Sequence, residues 1–535
     1  MAHYHYTPFE YHKPPGLTGK EDRHDVVIVG AGPIGLAMAI DLALRGVKSV
    51  VLDDNNVVSV GSRAICWAKR TLEIFDRLGV GERMLDKGVT WKVGRLFHGK
   101  DEVYSFDLLP EDGHKYPAFI NLQQYHVEQY LVERVRDFPD LIDLRFKNRV
   151  VDHKDHGDQV VLQVETPDGA YDLEARYFIA CDGAGSATRT RMGLPFDGHT
   201  FEEHFLIVDV EMQESPFATD QPERWFWFEP PFHPGQSALL HQQPDNIYRI
   251  DLQLGPDADP ASEAAEEKVI PRIKAIVGDK PFSLDWMSVY KFRCAKLDRF
   301  VHNRVLFVGD SAHVVSPFGA RGGNGGIQDV DNLGWKLAAV LAGRADPALL
   351  ETYHDERSHG SQENIMNSSR ATNFMTPKTP MEALFRNEVL KLAHDLPFAR
   401  KLINSGRLSV PCSLEGRTLQ TEGECVVGSG HAVVDAPLRN REWLVERLQG
   451  DFLLAGFGDV KVPDIPGLSR LGIGHRSDEY PCVEPANEYA VSRYGDGSIY
   501  LLRPDGHVAA SFNSGDVTLI SAAFDRARGL TTPSS

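Results

Sequence analysis

The sequence has few cysteines and none of the spacings that bind zinc or form redox pairs. Six are scattered through 535 residues: Cys66, Cys181, Cys294, Cys412, Cys425 and Cys482. They form neither a C-x-x-C pair nor a cysteine and histidine cluster at zinc spacing, which excludes dithiol chemistry and argues against structural zinc. We predict reduced thiols, with no structural disulfide and no metal site.

The sequence also lacks a hydrophobic run that could span a bilayer. The longest uncharged apolar run, 26–40, has 15 residues, whereas a membrane helix needs about 20. The start of the chain, 1–16, contains no apolar core of the kind found in secretory signals. Positive charge is scarce, with 57 lysines and arginines against 76 acidic residues and a net charge of −19. We therefore expect a cytoplasmic protein that binds neither nucleic acid nor membrane.

What is present is the composition of a globular enzyme, with 42% hydrophobic and 25% charged residues. The chain is too long for one hydrophobic core, so roughly two to four domains are expected. Its dominant motif is DVVIVGAGPIGLAMAIDLALRGVKSVVLD, 25–53. A buried strand turns through G-x-G-x-x-G spacing into an apolar helix, and a second strand then ends at an acid. This pattern predicts a dinucleotide site.

Each part of this motif has a physical role in binding a dinucleotide. Gly30 allows a tight turn, Gly32 lets the backbone approach a pyrophosphate, and Gly35 lets the helix pack closely on the strand. The helix N-terminus offers free N–H groups to the phosphates. Asp53 stands where an acceptor for ribose hydroxyls is expected. The predicted contacts are Gly30, Gly32, Pro33, Gly35 and Asp53.

A second motif, 304–343, reads RVLFVGDSAHVVSPFGARGGNGGIQDVDNLGWKLAAVLAG. A buried strand ends at Gly309-Asp310, and a loop rich in proline and glycine leads into a helix. Together with GSRAICWAKRTLEIFDRLG, 61–79, it resembles the class A FAD-dependent aromatic hydroxylases, which are flavoprotein monooxygenases. The resemblance is to the branch of phenol hydroxylase and 3-(3-hydroxyphenyl)propionate hydroxylase. It implies FAD rather than NAD as the bound cofactor, because a second distant motif completes the site.

The resemblance implies further contacts with FAD. Arg63 matches an arginine whose guanidinium suits phosphate or ribose oxygens, and Gln124 matches a glutamine whose amide can donate and accept at once. The pattern D-G-x-x-S-x-x-R, beginning at Asp182-Gly183, matches a family motif in the nucleotide region. In the second motif, Asp310 would accept from a ribityl hydroxyl. The implied contacts there are Gly309, Asp310, Pro317, Gly322, Gly323 and Asn324.

Pro317 is expected beside the flavin ring edge, where it also borders the substrate. The glycines and Asn324 would direct helix N-terminal N–H groups at the pyrimidine end of the flavin. Arg321 departs from the usual family pattern, and three roles stay open: stabilising reduced flavin, attracting an acidic substrate, or pointing to solvent. We interpret His313 as structural.

Two residues near the first motif are interpreted as ordinary surface residues. Arg70 lies in a predicted helix and is expected on its exposed side, although a second FAD contact is an alternative. Gln123, next to Gln124, is expected to be solvated.

Residues 196–295 are rich in aromatic and β-branched side chains and predict a sheet, which the resemblance identifies as a substrate domain roofing the flavin. In the hairpin 238–254, a three-residue loop would pair His241 with Arg249. His241, Gln243, Arg249 and Asp251 would then share one face, and Tyr248 the other. A two-residue loop would instead place Tyr248 beside Gln243.

The polar face of this hairpin has two interpretations. One is solvent exposure. The other, taken from the family, is that the face lines the flavin and substrate, with His241 as a base or hydrogen-bond partner for a phenol because its ordinary pKa is near neutral. Arg249 would then hold the flavin or a substrate carboxylate. The candidate catalytic residues are His241 and Arg249, and the candidate substrate contacts are Gln243, Asp251, Tyr248 and Pro317.

The predicted fold is α/β, with a Rossmann-like FAD-binding domain, an inserted β-sheet substrate domain and a C-terminal thioredoxin-like domain. The FAD-binding domain is discontinuous, over 24–195 and 296–409, and the substrate domain spans 196–295. The region 410–535 resembles a thioredoxin-like domain without a cysteine pair, and we expect it to serve packing or dimerisation, in a homodimer.

The activity implied by the resemblance is monooxygenation. NADH or NADPH would reduce FAD transiently, O2 would add to give a flavin hydroperoxide, and one oxygen atom would pass to a phenolic ring. Two alternatives remain open. In the first, the substrate is a polyketide or N-heteroaromatic ring. In the second, the chain is a flavin-binding protein without turnover.

Overall fold

A computed structural model describes residues 4–20, 23–109, 111–217, 221–255, 257–317, 319–403 and 409–530, without the side chains of 199–203. The first chain segment alternates strands and helices. Its strands are β1 (Arg23–Val29), β2 (Ser49–Asp53), β3 (Cys66–Ala68), β4 (Val89–Thr90), β5 (Val93–His98), β6 (Asp101–Asp107), β7 (Phe119–Asn121), β8 (Ile142–Phe146), β9 (Arg149–Asp155), β10 (Val160–Thr166) and β11 (Gly169–Ala180). Its helices are α1 (Pro33–Leu44), α2 (Lys69–Arg77), α3 (Gly81–Lys87), α4 (Gln124–Val135) and α5 (Ala187–Arg191).

The middle segment is dominated by long antiparallel strands. These are β12 (Asp197–Glu211), β13 (Glu223–Phe228), β14 (Ser237–Gln242), β15 (Ile247–Leu254) and β16 (Ser283–Lys296), with helices α6 (Pro260–Glu263) and α7 (Glu266–Val277). These strands belong to one sheet, as predicted for 196–295, and α6 and α7 lie between β15 and β16.

The remaining segments return to helix and then to a smaller sheet. The first contains β17 (Val301–His302), β18 (Val305–Phe307), β19 (His313–Val314), α8 (Gly322–Leu341), α9 (Leu349–Met375), α10 (Pro380–Asp395) and α11 (Pro397–Arg400). The C-terminal region contains β20 (Leu453–Phe457), β21 (Ser469–Ile473), β22 (Cys482–Val483), α12 (Tyr489–Tyr494), β23 (Ser498–Leu502), β24 (Val508–Phe512) and α13 (Val517–Ala527).

The first sheet has the order β17-β18-β11-β1-β2-β8. A branch leaves this order at β11, which also pairs with β10, and β10 pairs with β9. Its centre is parallel, because β1 pairs in parallel with both β2 and β11. The branched run Val26–Ile28 is fully buried there, as expected for a central strand covered on both faces. The two motifs predicted to bind FAD therefore begin at the same edge, since the carboxyl ends of β1 and β18 lie on either side of β11.

The second sheet has the order β19-β16-β12-β15-β14-β13-β5-β6. It draws β5 and β6 from the first chain segment, and β13 pairs with β5 in parallel. One face forms an apolar core with α7, including Val269 and Ile273. The other face turns toward the first domain, where Phe226 and Leu239 pack with Leu390 of α10. A polar row on that second face is described below.

The C-terminal sheet has the order β22-β21-β20-β23-β24. Strands β20 and β21 are parallel, whereas β20 and β23 are antiparallel. All six cysteines of the chain are free thiols, including Cys412, Cys425 and Cys482 of this region. The α/β fold class is confirmed, and the mixed C-terminal sheet is consistent with the predicted thioredoxin-like domain.

Candidate active site

The glycines of the first motif occupy three different environments. Gly30 has φ +106°, and a Cβ atom on it would lie 2.3 Å from the carbonyl oxygen of Cys181. A Cβ on Gly35 would lie 1.9 Å from the carbonyl oxygen of Gly30. A Cβ on Gly32 would meet no atom of the described residues within 4 Å. Gly30 and Gly35 are thus required by the turn and by packing. Gly32 borders open space at the start of α1, the place that the sequence predicts for a pyrophosphate.

Asp53 is half-buried at the end of β2 and braces the same loop. Its Oδ2 accepts a hydrogen bond from the Ala31 N–H at 2.6 Å, and its Oδ1 accepts from the Asn55 N–H at 2.8 Å. Burial raises the pKa of Asp53 despite these hydrogen bonds. The carboxylate therefore holds the loop that follows β1. It also lies where the sequence predicts a contact with ribose hydroxyls.

Arg63 lies in a strained loop that α4 holds in place. Its φ of +44° is unusual for a residue with a Cβ atom. Its exposed guanidinium donates to the Val60 carbonyl at 3.3 Å. Gln124 accepts from the Ala64 N–H at 3.3 Å and donates to Glu128 Oε1 at 2.8 Å. Strain at an exposed cation beside the nucleotide motif is the pattern expected of a ligand contact.

The Asp182-Gly183 motif connects the two nucleotide motifs. Asp182 Oδ2 accepts from the Thr188 N–H at 2.9 Å, while its Oδ1 is buried and has no partner among the described residues. Arg189 donates through Nη1 to the Ser311 carbonyl at 2.9 Å. An unpaired buried oxygen costs free energy unless a further group donates to it. A cofactor hydroxyl is a suitable donor.

Asp310 follows Gly309, whose φ is +66°. Within the described residues, the Asp310 carboxylate makes no hydrogen bond or ion pair. The Asp310 residue is exposed, but the protein atoms around its carboxyl reduce its hydration and so raise its pKa. A Cβ on Gly309 would lie 3.1 Å from Ile34 of α1, so the two motifs meet directly. Asp310 is therefore an unused acceptor at the junction where a ribityl chain would pass.

His313 belongs to a buried ion-pair cluster. Its Nε2 lies 2.7 Å from Asp329 Oδ2, and Arg357 Nε donates to Asp329 Oδ1 at 2.7 Å. Burial acts to raise the pKa of Asp329, but His313 and Arg357 lower it below its ordinary value. Asp329 also accepts from the Gly309 N–H at 3.0 Å. The geometry agrees with a structural role for His313.

The loop before α8 exposes Pro317 and buries Asn324. Asn324 Oδ1 accepts from the Ala68 N–H at 2.8 Å, and its Nδ2 donates to the Cys66 carbonyl at 2.9 Å. The amide of Asn324 is therefore used to hold β3. What this segment offers a ligand is the start of α8 at Gly322 and Gly323, where first-turn N–H groups have no partner within the helix.

Two surface expectations from the sequence, for Gln123 and Arg70, are wrong, and one of the three roles left open for Arg321 is excluded. Arg321 does not point to solvent, because it is 4% exposed and donates to Asn364 Oδ1 at 3.1 Å. Gln123 is fully buried rather than solvated. Arg70 is 3% exposed and forms an ion pair with Asp331 at 3.0 Å. In each case tertiary packing covers a polar side chain that the local pattern places outside.

The hairpin register predicted by the three-residue loop is confirmed. His241 pairs with Arg249, and the Gln243 N–H donates to the Ile247 carbonyl at 2.8 Å. His241 and Arg249 belong to a polar row that crosses the sheet. Arg224 of β13 pairs with His241, and Asp209 of β12 pairs with Arg249, so these four residues form the row. Side chains opposite each other on neighbouring strands lie on one face. His241 is 3% and Arg249 is 6% exposed, so the solvated interpretation of this face is wrong.

Two expectations for individual hairpin residues need correction. Tyr248 lies on the opposite face, in the apolar core with Phe217, so it does not line the polar row. His241 does not titrate near neutrality, because burial and the charges of Arg224 and Arg249 lower its pKa well below the ordinary value. A neutral imidazole remains available as a hydrogen-bond partner.

Arg249 connects the second sheet to the Arg63 loop. Its Nη1 donates to the Arg63 carbonyl at 2.7 Å, and its Nε pairs with Asp251 Oδ1 at 2.7 Å. Burial alone would lower the pKa of Arg249, but Asp251 and Asp209 raise it. Gln243 donates to Asp209 Oδ1 at 3.2 Å. The predicted polar residues are thus brought together beside the strained loop.

Sequence reasoning missed Asp209 and Arg224. Both lie directly in the row of His241 and Arg249. Strict alternation along β12 and β13 would have placed them on this face once the strand pairing was known. A separate cavity of about 400 Å³ is lined by Phe232, His233 and Arg272, among others, and contains no residue of either motif.

Comparisons with known proteins agree with this geometry. A family model described as FAD binding domain matches residues 23–368. The chain is 28% identical over 520 residues to a flavin-dependent monooxygenase of Mycobacteroides abscessus, covering 92% of this chain and 98% of that protein. It is 30% identical over 381 residues to a 3-(3-hydroxy-phenyl)propionate/3-hydroxycinnamic acid hydroxylase of Mycolicibacterium gilvum, covering 71% of this chain and 65% of that one.

Among solved structures, the flavin-dependent monooxygenase PieE in complex with FAD and substrate is similar, with a TM-score of 0.79 and 21% identity. The match covers 96% of this chain and 100% of PieE, and at this identity it supports the fold. In the part of the chain that the structure describes, no helix has both the length and the hydropathy needed to cross a membrane.

Proposed function

The chain belongs to the FAD binding domain family, within the flavoprotein aromatic hydroxylases, and from this premise we propose that it hydroxylates a phenolic ring with O2 and NADH or NADPH. The predicted family and the predicted cofactor, FAD, are confirmed by the match over residues 23–368. The phenolic substrate and the reaction route are the parts that we propose.

The residues present fit FAD from one end to the other. Asp53 and the start of α1 suit the ribose and pyrophosphate. Arg63 supplies an exposed guanidinium for phosphate or ribose oxygens. The Asp310 carboxylate, which has no partner within the described part of the chain, suits a ribityl hydroxyl. The start of α8 suits the pyrimidine edge, where reduced flavin is negative. When bound, FAD supplies electron transfer from the nicotinamide and oxygen transfer to the ring.

The observation that carries this proposal is the buried polar row facing the Arg63 loop. Arg249 joins the row to that loop through the Arg63 carbonyl at 2.7 Å. A substrate ring on this face would therefore lie between the second sheet and the flavin. His241, neutral and 3% exposed, can accept or donate one hydrogen bond to a phenol oxygen. The apolar neighbours Phe226 and Leu239 are nearly buried, and they would keep water away from the reacting ring.

The test combines cofactor analysis with turnover. We expect a yellow protein that releases intact FAD on denaturation. Oxidation of NADH or NADPH should be stimulated by one member of a panel of phenols, polyketide-type phenols and N-heteroaromatics. The product should gain one oxygen atom from ¹⁸O2, detected by mass spectrometry.

The panel separates the proposal from its alternatives. Hydroxylation of N-heteroaromatic or polyketide-type rings alone would show that the substrate is not a simple phenol. Bound FAD without stimulated oxidation by any ring would favour a binding protein without turnover. The matched controls are an anaerobic reaction and a reaction without reductant, neither of which should form product.

A further inference from the structure

Residues 4–12 form an arm that packs on the loop between β2 and β3, which contains Arg63. The Phe9 N–H donates to the Asn56 carbonyl of this loop at 2.7 Å, and Asn56 Nδ2 donates to the Phe9 carbonyl at 2.9 Å. The Phe9 ring stacks on Phe146 of β8, with ring centres 4.7 Å apart. The arm is therefore fixed to the first domain and to the loop at the same point.

Tyr6 of the arm contacts this loop two residues before Arg63. Its hydroxyl oxygen accepts a hydrogen bond from the Gly61 N–H at 2.9 Å. A Cβ atom on Gly61 would lie 2.3 Å from the Trp286 ring of β16. Gly61 is therefore fixed by the arm through its N–H group and by the second sheet through close packing.

The ring of Tyr6 has contacts that do not involve its hydroxyl group. The Tyr6 ring lies edge-on to Tyr4 and to Tyr125 of α4, with ring centres 4.9 and 5.9 Å away. Tyr4 also contacts Tyr125, at 4.1 Å between ring centres. These ring contacts remain possible when the hydroxyl oxygen is removed, so a Phe at this position keeps the packing of the arm.

The backbone conformation of Arg63 requires support from outside the loop. Its φ of +44° is unfavourable for a residue with a Cβ atom, and such a conformation persists only where surrounding contacts impose it. Arg249 Nη1 donates to the Arg63 carbonyl at 2.7 Å. The Tyr6 hydroxyl holds the N–H of Gly61. The second sheet and the arm thus hold the chain after and before the Cα atom of Arg63.

We propose that Tyr6 is a positioning residue for bound FAD, which acts by holding the Arg63 loop in the conformation that contacts the cofactor. A guanidinium that is already fixed near its binding position loses less conformational entropy when the ligand binds. This inference rests on the assignment of Arg63 to FAD made under the proposed function. It goes beyond that function, because it concerns retention of the cofactor and not hydroxylation.

The test measures how fast FAD leaves the holoenzyme after dilution, from the rise in fluorescence of free FAD. It therefore depends on neither substrate nor turnover. Tyr6→Phe removes only the hydroxyl group that accepts from Gly61. We expect this variant to release FAD about threefold to tenfold faster than wild type, as for the loss of one neutral hydrogen bond.

A double variant separates positioning from a general loosening of the fold. Arg63→Ala alone should release FAD about tenfold faster or more, because it removes a charged contact. Adding Tyr6→Phe to Arg63→Ala should cause no further increase, since Tyr6 acts through Arg63. A general loosening would instead speed release by the same factor with and without Arg63.

Tyr11→Phe is the matched control within the same arm. The Tyr11 hydroxyl donates to Asp168 Oδ2 at 3.3 Å in an exposed hydrogen bond, and Asp168 belongs to the turn between β10 and β11. This variant also removes one tyrosine hydroxyl from the arm, but it leaves the Arg63 loop untouched. It should release FAD at the wild-type rate.

Three outcomes would each overturn the proposal. They are a wild-type rate of FAD release from Tyr6→Phe, an equal effect of Tyr6→Phe with and without Arg63, and a wild-type rate for Arg63→Ala. Absence of ring-stimulated oxidation, together with the expected dependence of the Tyr6 effect on Arg63, would instead overturn the proposed hydroxylation alone.

Discussion

Asp209 shows how a single residue can acquire unusual chemistry from its neighbours. In the sequence it is one acid in the strand IVDVE. In the fold it is 2% exposed and lies directly opposite Arg249. Burial raises the pKa of Asp209 to about 7, although Arg249 opposes the shift. At neutral pH this carboxyl is therefore divided between its protonated and ionised forms, beside the predicted substrate face.

Replacing Asp209 by Asn should change how stability depends on pH. An unfolded Asp ionises near pH 4, whereas folded Asp209 holds its proton to about pH 7. The folded state binds the extra proton, so wild-type stability should fall as pH rises from 4 to 7 and then level off. The limit is on the order of 4 kcal/mol, from about three pH units. Asp209→Asn should lack this fall.

The measurement is the midpoint of thermal unfolding at pH 4, 5, 6, 7 and 8. Asp209→Asn should be nearest to wild type at pH 4 and should exceed it by a growing margin up to about pH 7. Asp158→Asn, in an exposed loop, is the control and should follow wild type throughout. Parallel pH curves for wild type and Asp209→Asn would show that Asp209 ionises normally in the folded protein.

Asp310→Ala tests the residue that we assign to the ribityl chain. Asp310 supports no neighbour through a hydrogen bond within the described residues, so the variant should fold normally. It should bind FAD about tenfold to a hundredfold more weakly, because a hydrogen bond to a charged group is worth about 1.5–3 kcal/mol. Titration of the apoprotein with FAD measures the effect, and Asp310→Asn should be intermediate. Unchanged affinity would contradict the assignment.

At the scale of elements, the sequence predicts those strands, helices and turns that depend on patterns between residues close along the chain. The β1–α1–β2 unit follows from glycine spacing and an apolar run, and the register of the β14–β15 hairpin follows from its loop length. The sequence could not show that β5 and β6 join the second sheet, because that pairing with β13 is distant along the chain. Arg224 was missed for the same reason, since its place in the polar row depends on which strands become neighbours.

The first motif permits a prediction that separates folding from cofactor binding. A Cβ on Gly35 would lie 1.9 Å from a backbone oxygen, so Gly35→Ala should destabilise the fold by about 1–3 kcal/mol or more. A Cβ on Gly32 would meet no atom within 4 Å in the part of the chain that the structure describes. Gly32→Ala should therefore fold normally but lose FAD, because the methyl group occupies the space where the pyrophosphate approaches. Circular dichroism melts and the ratio of FAD to protein measure the two effects. Normal FAD content in Gly32→Ala would contradict this position for the pyrophosphate.

At the scale of the whole molecule, buried charges join the C-terminal region to the FAD-binding domain. Glu356 of α9 accepts from Arg503 Nη1 at 2.5 Å and from Lys336 Nζ of α8 at 2.7 Å. Arg70 of α2 donates to the Asp505 carbonyl at 2.6 Å. Local sequence could not predict this network, because its charged residues come from separate chain segments and each resembles a surface residue. It links the C-terminal sheet to α8, the helix whose start faces the predicted flavin ring.

Glu356→Gln should therefore weaken the whole molecule rather than one domain. Burial acts to raise the pKa of Glu356, but Arg503 and Lys336 hold it well below its ordinary value, so the carboxylate is ionised at neutral pH. Removing it leaves two buried cations partly uncompensated, which should cost about 3–5 kcal/mol in urea unfolding. Glu351→Gln on the same helix breaks an exposed pair with Arg299 and should cost less than about 1 kcal/mol.

A double variant separates charge compensation from simple loss of packing at Glu356. Lys336→Met removes one of the two cations that Glu356→Gln leaves unpaired, and burial already lowers the pKa of Lys336 to about 8. If uncompensated charge is the cause, the double variant should lose less stability than the two single variants added together, because residues in one network couple. Additive losses would show that packing, and not the ion-pair network, holds the C-terminal region on α8. The FAD content of the double variant, measured in parallel, would then reveal whether the position of α8 depends on that contact.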